Sequence, residues 1–462
     1  MTTTDVEPML LTYKSRLNPT RAQHRALEMI LEQQRQLANA ALAERIDCYA
    51  KTGKSINEYD QSKSLTLIRQ ADPAHSNVQR RIQRGTLKRV DLAYKAFYRR
   101  AKAGAGARAG FPKFKGREWF DSFAFDAFQQ IKLDGKRLRF AGMPGGLRVH
   151  LDRPLPTVGE DKQTSIKGVW FKRAGRRWYV GFQCEVEPRA TRDGLGSGAI
   201  GVDWGTSVLA ALSSGELVAN PRPGEALAKQ HARIQRSVSR KKKGSKGRLQ
   251  ARRHLQAINR RIANRRRNTL DKLSARLVRD FGVIAMEKLN VAGMVDGARA
   301  AKDVPAAVTT RRNREALDAA PYMLRQMVSY KARREGATLI AVDAKNTTQL
   351  CHWCGGMHPK ELSEMTHTCT TPGPTFGRVV HRKVNAARVI LARAINSDPE
   401  KSGPDNRGGP VPGGAVMPAN LNNGSGRLEN TGGAQALSGR RSNMEPPTVR
   451  DVDRLDRRRG HV

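Results

Sequence analysis

Along this chain the spacing of apolar residues switches repeatedly between a strand period and a helical one, and the switches mark out its segments. Met9-Leu10-Leu11-Thr12-Tyr13-Lys14 reads as a short strand. Asn18-Pro19-Thr20 then opens a helix, with Thr20 as its cap and apolar residues at helical spacing through Ala22–Ala50. After a loop, a second helical pattern runs from about Val78 to Lys102. Between Ile131 and Val186 the pattern shortens to alternating segments, among them Leu138–Phe140, Leu147–Leu151, Gly168–Phe171 and Trp178–Phe182, which predict strands of a small β-barrel or sandwich.

A glycine-rich joint, Asp193–Gly198, predicts a domain boundary. Beyond it come strand-like Ala199–Val202, a hairpin over Val208–Val218, basic helices from about Ala226 to Arg279, and strand-like Gly282–Met286. A linker, a helix around Arg314–Glu335, a strand at Ala337–Val342, a cysteine-bearing insert over about Asn346–Arg378 and a helix from about Val384 to Ile395 follow. From Asn396 to Val462 the chain is rich in Gly, Pro, Asn, Ser and Arg without apolar periodicity, and reads as a disordered basic tail.

Charge changes this picture from architecture to partner. The chain carries 84 Lys+Arg against 42 Asp+Glu, a formal charge of +42. Such an excess repels itself in a compact fold unless a polyanion neutralises it, so nucleic acid is the expected partner. An anionic membrane surface is the rival, but no apolar run has spanning length and the N-terminus does not read as a signal sequence. A cytoplasmic, nucleoid-associated prokaryotic protein is the expectation.

Candidate nucleic-acid contacts are Arg80, Arg81, Arg84, Lys88, Arg99 and Arg100 on the second helix, although a solvated amphipathic face explains the same pattern. Gly110-Phe111-Pro112-Lys113-Phe114-Lys115-Gly116 interleaves aromatic rings with ammonium groups, which suits stacking and phosphate contact by Phe111, Lys113, Phe114 and Lys115. Lys241, Lys242, Lys243, Arg252 and Arg253 extend the candidate surface, and the tail arginines Arg457–Arg459 add nonspecific affinity.

Three places carry candidate chemistry. In Ile200-Gly201-Val202-Asp203-Trp204-Gly205-Thr206 an apolar strand delivers a carboxylate to its end, and in Val283-Ile284-Ala285-Met286-Glu287 a second strand does the same. A strand-end aspartate in a turn is the bland reading of the first. Together, Asp203 and Glu287 offer the hard oxygen ligands from separate strands that a hydrolytic magnesium site needs. Of the five cysteines, three lie late in the chain: Cys351-His352-Trp353-Cys354 is a CxxC knuckle, with Cys369 downstream. That spacing presents two thiolates to one tetrahedral zinc. A second CxxC is missing, because Cys369-Thr370-Thr371 is followed by Pro372, so His367 or His381 is the candidate fourth ligand. The alternative is a metal-free loop packed around Trp353.

Read in order, GFPKFKG with Ser122-Phe123, GVDWGT, IAMEKLNVAGM, and CHWCG leading to VNAARVILARA resemble the transposon-encoded TnpB proteins and their descendants, the type V CRISPR effectors, over roughly residues 9–395. The resemblance implies an α+β multidomain, bilobed protein. Residues 1–18 and 109–193 would form a wedge-like β-barrel and 19–108 a helical recognition region. Residues 199–345 would form an RNase H-like (RuvC) α/β domain containing the basic helices 226–279. A zinc-ribbon-like insert at 346–378, a final helix at 379–395 and the tail at 396–462 would complete it. It further implies a guide RNA, a target duplex DNA, and sequence specificity left to base pairing.

By the same resemblance, Asp203 and Glu287 match the first and second catalytic carboxylates. The third is expected two residues before Asn385-Ala386-Ala387, and this chain has Lys383 there, in His381-Arg382-Lys383-Val384-Asn385. An ammonium removes a hard ligand, changes the local charge by two units, and can take a metal ion's place against Asp203 and Glu287. Three readings stay open: a guided DNA binder with the nuclease lost or impaired, an active magnesium-dependent endonuclease rescued by Asp343, Asp405 or His381, and a decayed transposon protein or general RNA binder.

Overall fold

The computed structural model describes residues 7–103, 110–128, 130–158, 163–164, 166–189, 198–290, 305–361 and 364–396. The joint at 193–197, the end of the Glu287 motif at 291–294 and the tail from 397, with Asp405 and Arg457–Arg459, lie outside the described residues. The chain divides into two units, one mainly residues 12–155 with 166–184 and the other mainly 185–413.

The first unit contains β1 (Met9–Asn18), α1 (Arg21–Thr52), α2 (Glu58–Ala71), α3 (Pro73–Ser76), α4 (Arg80–Lys102), β2 (Ser122–Ala124), β3 (Lys132–Asp134), β4 (Arg137–Arg139) and β5 (Leu147–His150). After the two-residue strands β6 (Thr157–Val158) and β7 (Gln163–Thr164) of the second unit come β8 (Ile166–Ala174) and β9 (Arg177–Val186). Thr20 does cap α1: its hydroxyl accepts from the Gln23 backbone N–H while Gln23 reaches back to Thr20. Helix α2 stands where the sequence reading had only a loop. It is started by the same device, with the Asn57 side chain accepting from Tyr59 and Asp60, and Leu65 buried on its inner face. Asn57-x-x-Asp60 ahead of Leu65 was the available signal.

The strands of this unit form a seven-stranded sheet in the order β2-β8-β9-β1-β5-β4-β3. It is half a barrel rather than a closed one: among the described residues no ladder joins β2 to β3. Trp178, Val180, Phe182 and Cys184 alternate along β9 and are buried on one face with Phe123, Phe171 and the α1 residues Leu27, Ile30 and Leu31.

The second unit contains β10 (Ala199–Trp204), β11 (Val208–Leu212), β12 (Leu217–Ala219), α5 (Pro223–Ala226), α6 (Ala228–Arg240), α7 (Lys246–Asp280) and β13 (Val283–Glu287). It continues with α8 (Ala306–Ala319), α9 (Pro321–Glu335), β14 (Thr338–Val342), β15 (Thr366–Thr368), β16 (Val379–His381) and α10 (Arg382–Asn396). The helix expected around 314–335 is two helices. They part at Ala320, whose φ of 47° is left-handed, and at Pro321, which lacks the N–H a continuing helix needs.

Five strands lie in the order β12-β11-β10-β13-β14, with β10, β13 and β14 parallel and β11 and β12 running antiparallel. Ile200, Val202, Ile284 and Met286 pack on one face against Leu273 and Leu277 of α7 and Leu324 and Val328 of α9. On the other face Ala285 and Val342 meet Ile390 and Ala394 of α10. The strand period of two therefore sends Gly201 and Asp203 of β10, and Ala285 and Glu287 of β13, towards the α10 side. Helix α10 comes down to backbone contact there: a Cβ on Gly201 would sit 2.0 Å from the Ala387 carbonyl oxygen. Gly201→Ala is expected to cost about 1–3 kcal/mol through overpacking of a rigid contact, read as a lowered urea midpoint with the slope unchanged.

Candidate functional site

Asp203 and Glu287 end neighbouring parallel strands, at the carboxyl edge where open α/β sheets bind ligands. Asp203 is 3% exposed. Its Oδ2 accepts a hydrogen bond from the Lys383 ammonium at 3.0 Å, and the same Nζ donates to the Trp204 carbonyl at 3.2 Å. Lys383 arrives from the first turn of α10, and its backbone N–H donates to His381 Nδ1 at 3.2 Å. Gly205 makes room for it, since a Cβ there would lie 2.4 Å from Lys383 Nζ and 2.9 Å from the Val208 carbonyl oxygen. Burial pushes the Asp203 carboxyl above its ordinary range, and the Lys383 ammonium offsets only part of that. For His381, burial and the nearby Lys383 both push the imidazole down.

Glu287 accepts a hydrogen bond from the hydroxyl of buried Thr347. Burial raises its carboxyl to about 7, against the Thr347 bond that lowers it and with the Asp203 charge adding to the rise. The three positions are thus a buried carboxyl, a half-buried one and an ammonium bonded to the first. For a divalent magnesium ion this donor set is poor, because an ammonium stands where a third hard oxygen ligand is expected and bonds one of the two Asp203 oxygens. Asp343, the nearer candidate for rescue, is exposed and turns its Oδ1 to the Lys345 backbone N–H at 3.1 Å.

The cysteine insert does form a donor cluster. The sulfurs of Cys351, Cys354 and Cys369 and a ring nitrogen of His358 all lie within 4.8 Å of one another. Cys354 Sγ is 3.6 Å from Cys369 Sγ and 3.7 Å from His358 Nε2. Tetrahedral zinc, with bonds of about 2.0–2.3 Å, needs ligand edges of about 3.5–3.8 Å, so the residues fit zinc. His358 Nδ1 pairs with Thr370 Oγ1 at 2.8 Å, the outer contact that holds a ligating imidazole in orientation. The His358 bond draws the exposed Cys354 thiol down to about 6, whereas burial pushes Cys351 up.

The fourth member is His358, not His367 or His381. His367 packs edge-on to His358 with ring centroids 5.4 Å apart, is 0% exposed with neither ring nitrogen partnered among the described residues, and burial drives it down to about 4. His381 belongs to the turn before Lys383. The spacing C-x-x-C-x-x-x-H was present in the sequence at Cys351, Cys354 and His358 and would have identified the ligand.

The candidate nucleic-acid residues divide. Arg81 and Arg84 both turn to Asp126, at 3.1 and 3.4 Å, and Arg80 donates to Thr66 Oγ1 at 2.8 Å. Lys88 is half-buried, while Arg99 and Arg100 are exposed at the end of α4, Arg100 reaching the Gly110 carbonyl at 3.3 Å. Phe111 packs edge-on against Tyr94 and Phe97, so it docks its segment onto α4 as well as facing solvent. Phe114 is 54% exposed, flanked by exposed Lys113 and Lys115. The Lys115 backbone is held by Asn39 in both directions, at 2.9 and 3.1 Å. In the second unit, Lys241, Lys242, Lys243 and Arg253 are exposed and Arg252 is half-buried. Between Glu225 and Asp271 the chain has no Asp or Glu at all, so the α6–α7 pair has almost no internal counter-charge.

A family profile described as probable transposase, the IS605 OrfB family, matches residues 181–298. A second, described as a Cas12f1-like TNB domain, matches 322–390. A third, described as a helix-turn-helix domain, matches 9–54, which here is β1 followed by the single helix α1. A Streptomyces pristinaespiralis protein named "Putative RNA-guided DNA endonuclease" is 29% identical over 391 residues, covering 83% of this chain and 89% of its own length. InsQ of Escherichia coli K12, of the same name, is 30% identical over 312 residues, covering 66% and 72%. Among solved structures, a Cas12f1–sgRNA–target DNA complex covers 80% of this chain and 82% of its own at 14% identity, with a TM-score of 0.48.

Zinc content is expected at one per chain, to fall in Cys354→Ser and His358→Ala, and to stay at one in His367→Ala and His381→Ala, as read by elemental analysis of purified protein. A raised carboxyl pKa stabilises the fold below the unfolded value, and that contribution is lost as pH climbs through about 7. Glu287→Gln should therefore gain stability over the parent between about pH 5 and about pH 8, measured as the difference in urea midpoints.

Proposed function

We propose, from the premise that this chain belongs to the TnpB/OrfB family of transposon-encoded proteins, that it binds a guide RNA and complementary duplex DNA while Lys383 keeps its RuvC-like site from cutting. The observation that carries the second half is the Lys383 ammonium at 3.0 Å from Asp203 Oδ2. Phosphodiester cleavage by metal ions needs carboxylates to hold two cations against the attacking and leaving oxygens. With Asp203 paired to an internal cation and Glu287 held at a pKa of about 7, the site lacks the negative charge that draws such ions in.

The reading of 199–345 with 379–395 as an RNase H-like domain is supported by the strand order, in which the first strand is central, the second runs antiparallel beside it, and the two acidic strands adjoin. Residues 346–378 are read as its zinc-ribbon-like insert, and the half-barrel with helices α1, α2 and α4 as the wedge and recognition regions. Guide RNA and target DNA together supply the polyanion for a charge of +42 and for the acid-free stretch 226–270 of α6 and α7. Arg99, Arg100, Lys113, Phe114, Lys115 and Lys241–Lys243 are the residues we assign to that contact, at a cytoplasmic, nucleoid-associated location. No helix among the described residues is long and apolar enough to cross a membrane.

Protein co-expressed with its native flanking DNA, so that it loads its own RNA, is incubated with matched duplex and magnesium. The expected outcome is a shifted duplex with intact strands. Lys383→Asp should cut in a guide-dependent way, and its melting temperature should rise with magnesium while the parent's does not. Cutting by the parent that vanishes in Glu287→Ala would refute the silencing role of Lys383. A failure to shift matched duplex in preference to mismatched duplex would refute the guided binding.

A further inference from the structure

The hydrogen bonds around the cysteine knuckle lead out of it in one direction, towards the acidic pair. Asn385, two residues after Lys383 and 0% exposed, spends its side chain on the two residues that flank Cys351 at the opening of the knuckle. Its Oδ1 accepts from the His352 backbone N–H at 3.0 Å and pairs with His352 Nδ1 at 2.9 Å, while its Nδ2 donates to the Leu350 carbonyl at 2.6 Å. One turn further on, Arg388 Nη1 meets His352 Nε2 at 2.9 Å, and Arg388 Nε donates to the Ser213 carbonyl at 3.1 Å. Ser213 is in turn bonded to Gly201 of β10 both ways, its N–H to the Gly201 carbonyl at 2.9 Å and its Oγ accepting from the Gly201 N–H at 3.0 Å. At the other end of the same segment, Thr347 holds Glu287. Residues 347–352 thus grip β13, α10 and, through Arg388, β10, the three elements that carry Glu287, Lys383 and Asp203.

We propose that the Cys351–Cys354–His358–Cys369 knuckle is a zinc-dependent clamp on the acidic site, and that Asn385 is the positioning residue through which zinc occupancy reaches α10. The inference rests on the knuckle holding zinc. Physically, a short loop with little apolar packing takes its conformation from the metal that crosslinks it. Leu350 and His352 flank Cys351, so their carbonyl, N–H and ring are placed by the ligand beside them. Without zinc the segment loses that restraint, and the buried Asn385 amide loses the fixed partners that hold the helix start where Lys383 meets Asp203. An amide buried without partners is costly enough for the helix end to shift or fray.

The test is hydrogen–deuterium exchange on the full-length chain, with zinc content measured on the same samples. Removing zinc with a chelator should speed exchange at amides 386–390 by about tenfold or more, and leave peptides from β8 and β9 in the first unit unchanged. Asn385→Ala should keep one zinc per chain yet exchange fast at 386–390 whether zinc is present or not. A residue that merely packs would lower protection without abolishing its dependence on zinc. Should Asn385→Ala fail to fold, Arg388→Met offers the second arm: it leaves the four candidate ligands unchanged and should make exchange around Ser213 indifferent to zinc. Equal protection of 386–390 with and without zinc, or a parental zinc response in Asn385→Ala, overturns the clamp. Less than one zinc in the parent overturns the zinc reading itself, and the clamp with it, without bearing on guided DNA binding.

Discussion

The site depends on how closely helix α10 can lie on strand β10. Gly201 has no side chain and Ala386 and Ala387 have small ones, so the helix backbone approaches until there is no room for a methyl group between them. That contact sets the height of Lys383 above the strand end, and Gly205 leaves the gap that its ammonium enters. Interiors packed at crystal-like density do not deform gradually. Once the helix is seated, the residue at position 383 must meet Asp203, whatever its charge.

Which charge stands there then decides the electrostatics of the pocket. Three carboxylates on one buried edge would repel one another unless cations bound between them. With an ammonium in place of one, part of that repulsion is offset from within the fold. The buried pair is not thereby a large source of stability, because two charges taken out of water recover little more than their desolvation cost. Its effect is local, since one carboxyl oxygen of Asp203 accepts the ammonium. Glu287 is held by Thr347 in surroundings whose burial outweighs the charges of Lys383 and Arg393 and favours its protonated form.

The basic character of the chain works at two levels. Part of it is consumed inside the fold, where Arg81 and Arg84 share Asp126, Arg45 and Lys95 share Asp91, and Lys331 is bonded to Asp271 and Ser274. The remainder is concentrated where acids are absent from the chain for a long stretch, over α6 and α7. A helical face counted as basic in one dimension thus splits, in the fold, into structural arginines and exposed ones. Local spacing alone could not separate them, because Asp126 lies far along the chain from Arg81.

Everything governed by near neighbours is legible along the chain. The strand ends carrying Asp203 and Glu287, the Thr20 cap, the CxxC knuckle and the anomaly at Lys383 follow from period, turn chemistry and motif order, which act over a few residues. His358 and the Asn57 cap are short spacings of the same kind. The long-range partners are fixed by packing alone. Lys383 bonds to Asp203 rather than turning to solvent, His358 rather than His367 or His381 joins the cysteines, the sheet of the first unit stays half a barrel, and Asn385 links the knuckle to α10. The physical reason is the same in each case. A side chain's partner is chosen by which distant surface packing brings within about 3 Å of it, and no local pattern in the chain encodes that distance.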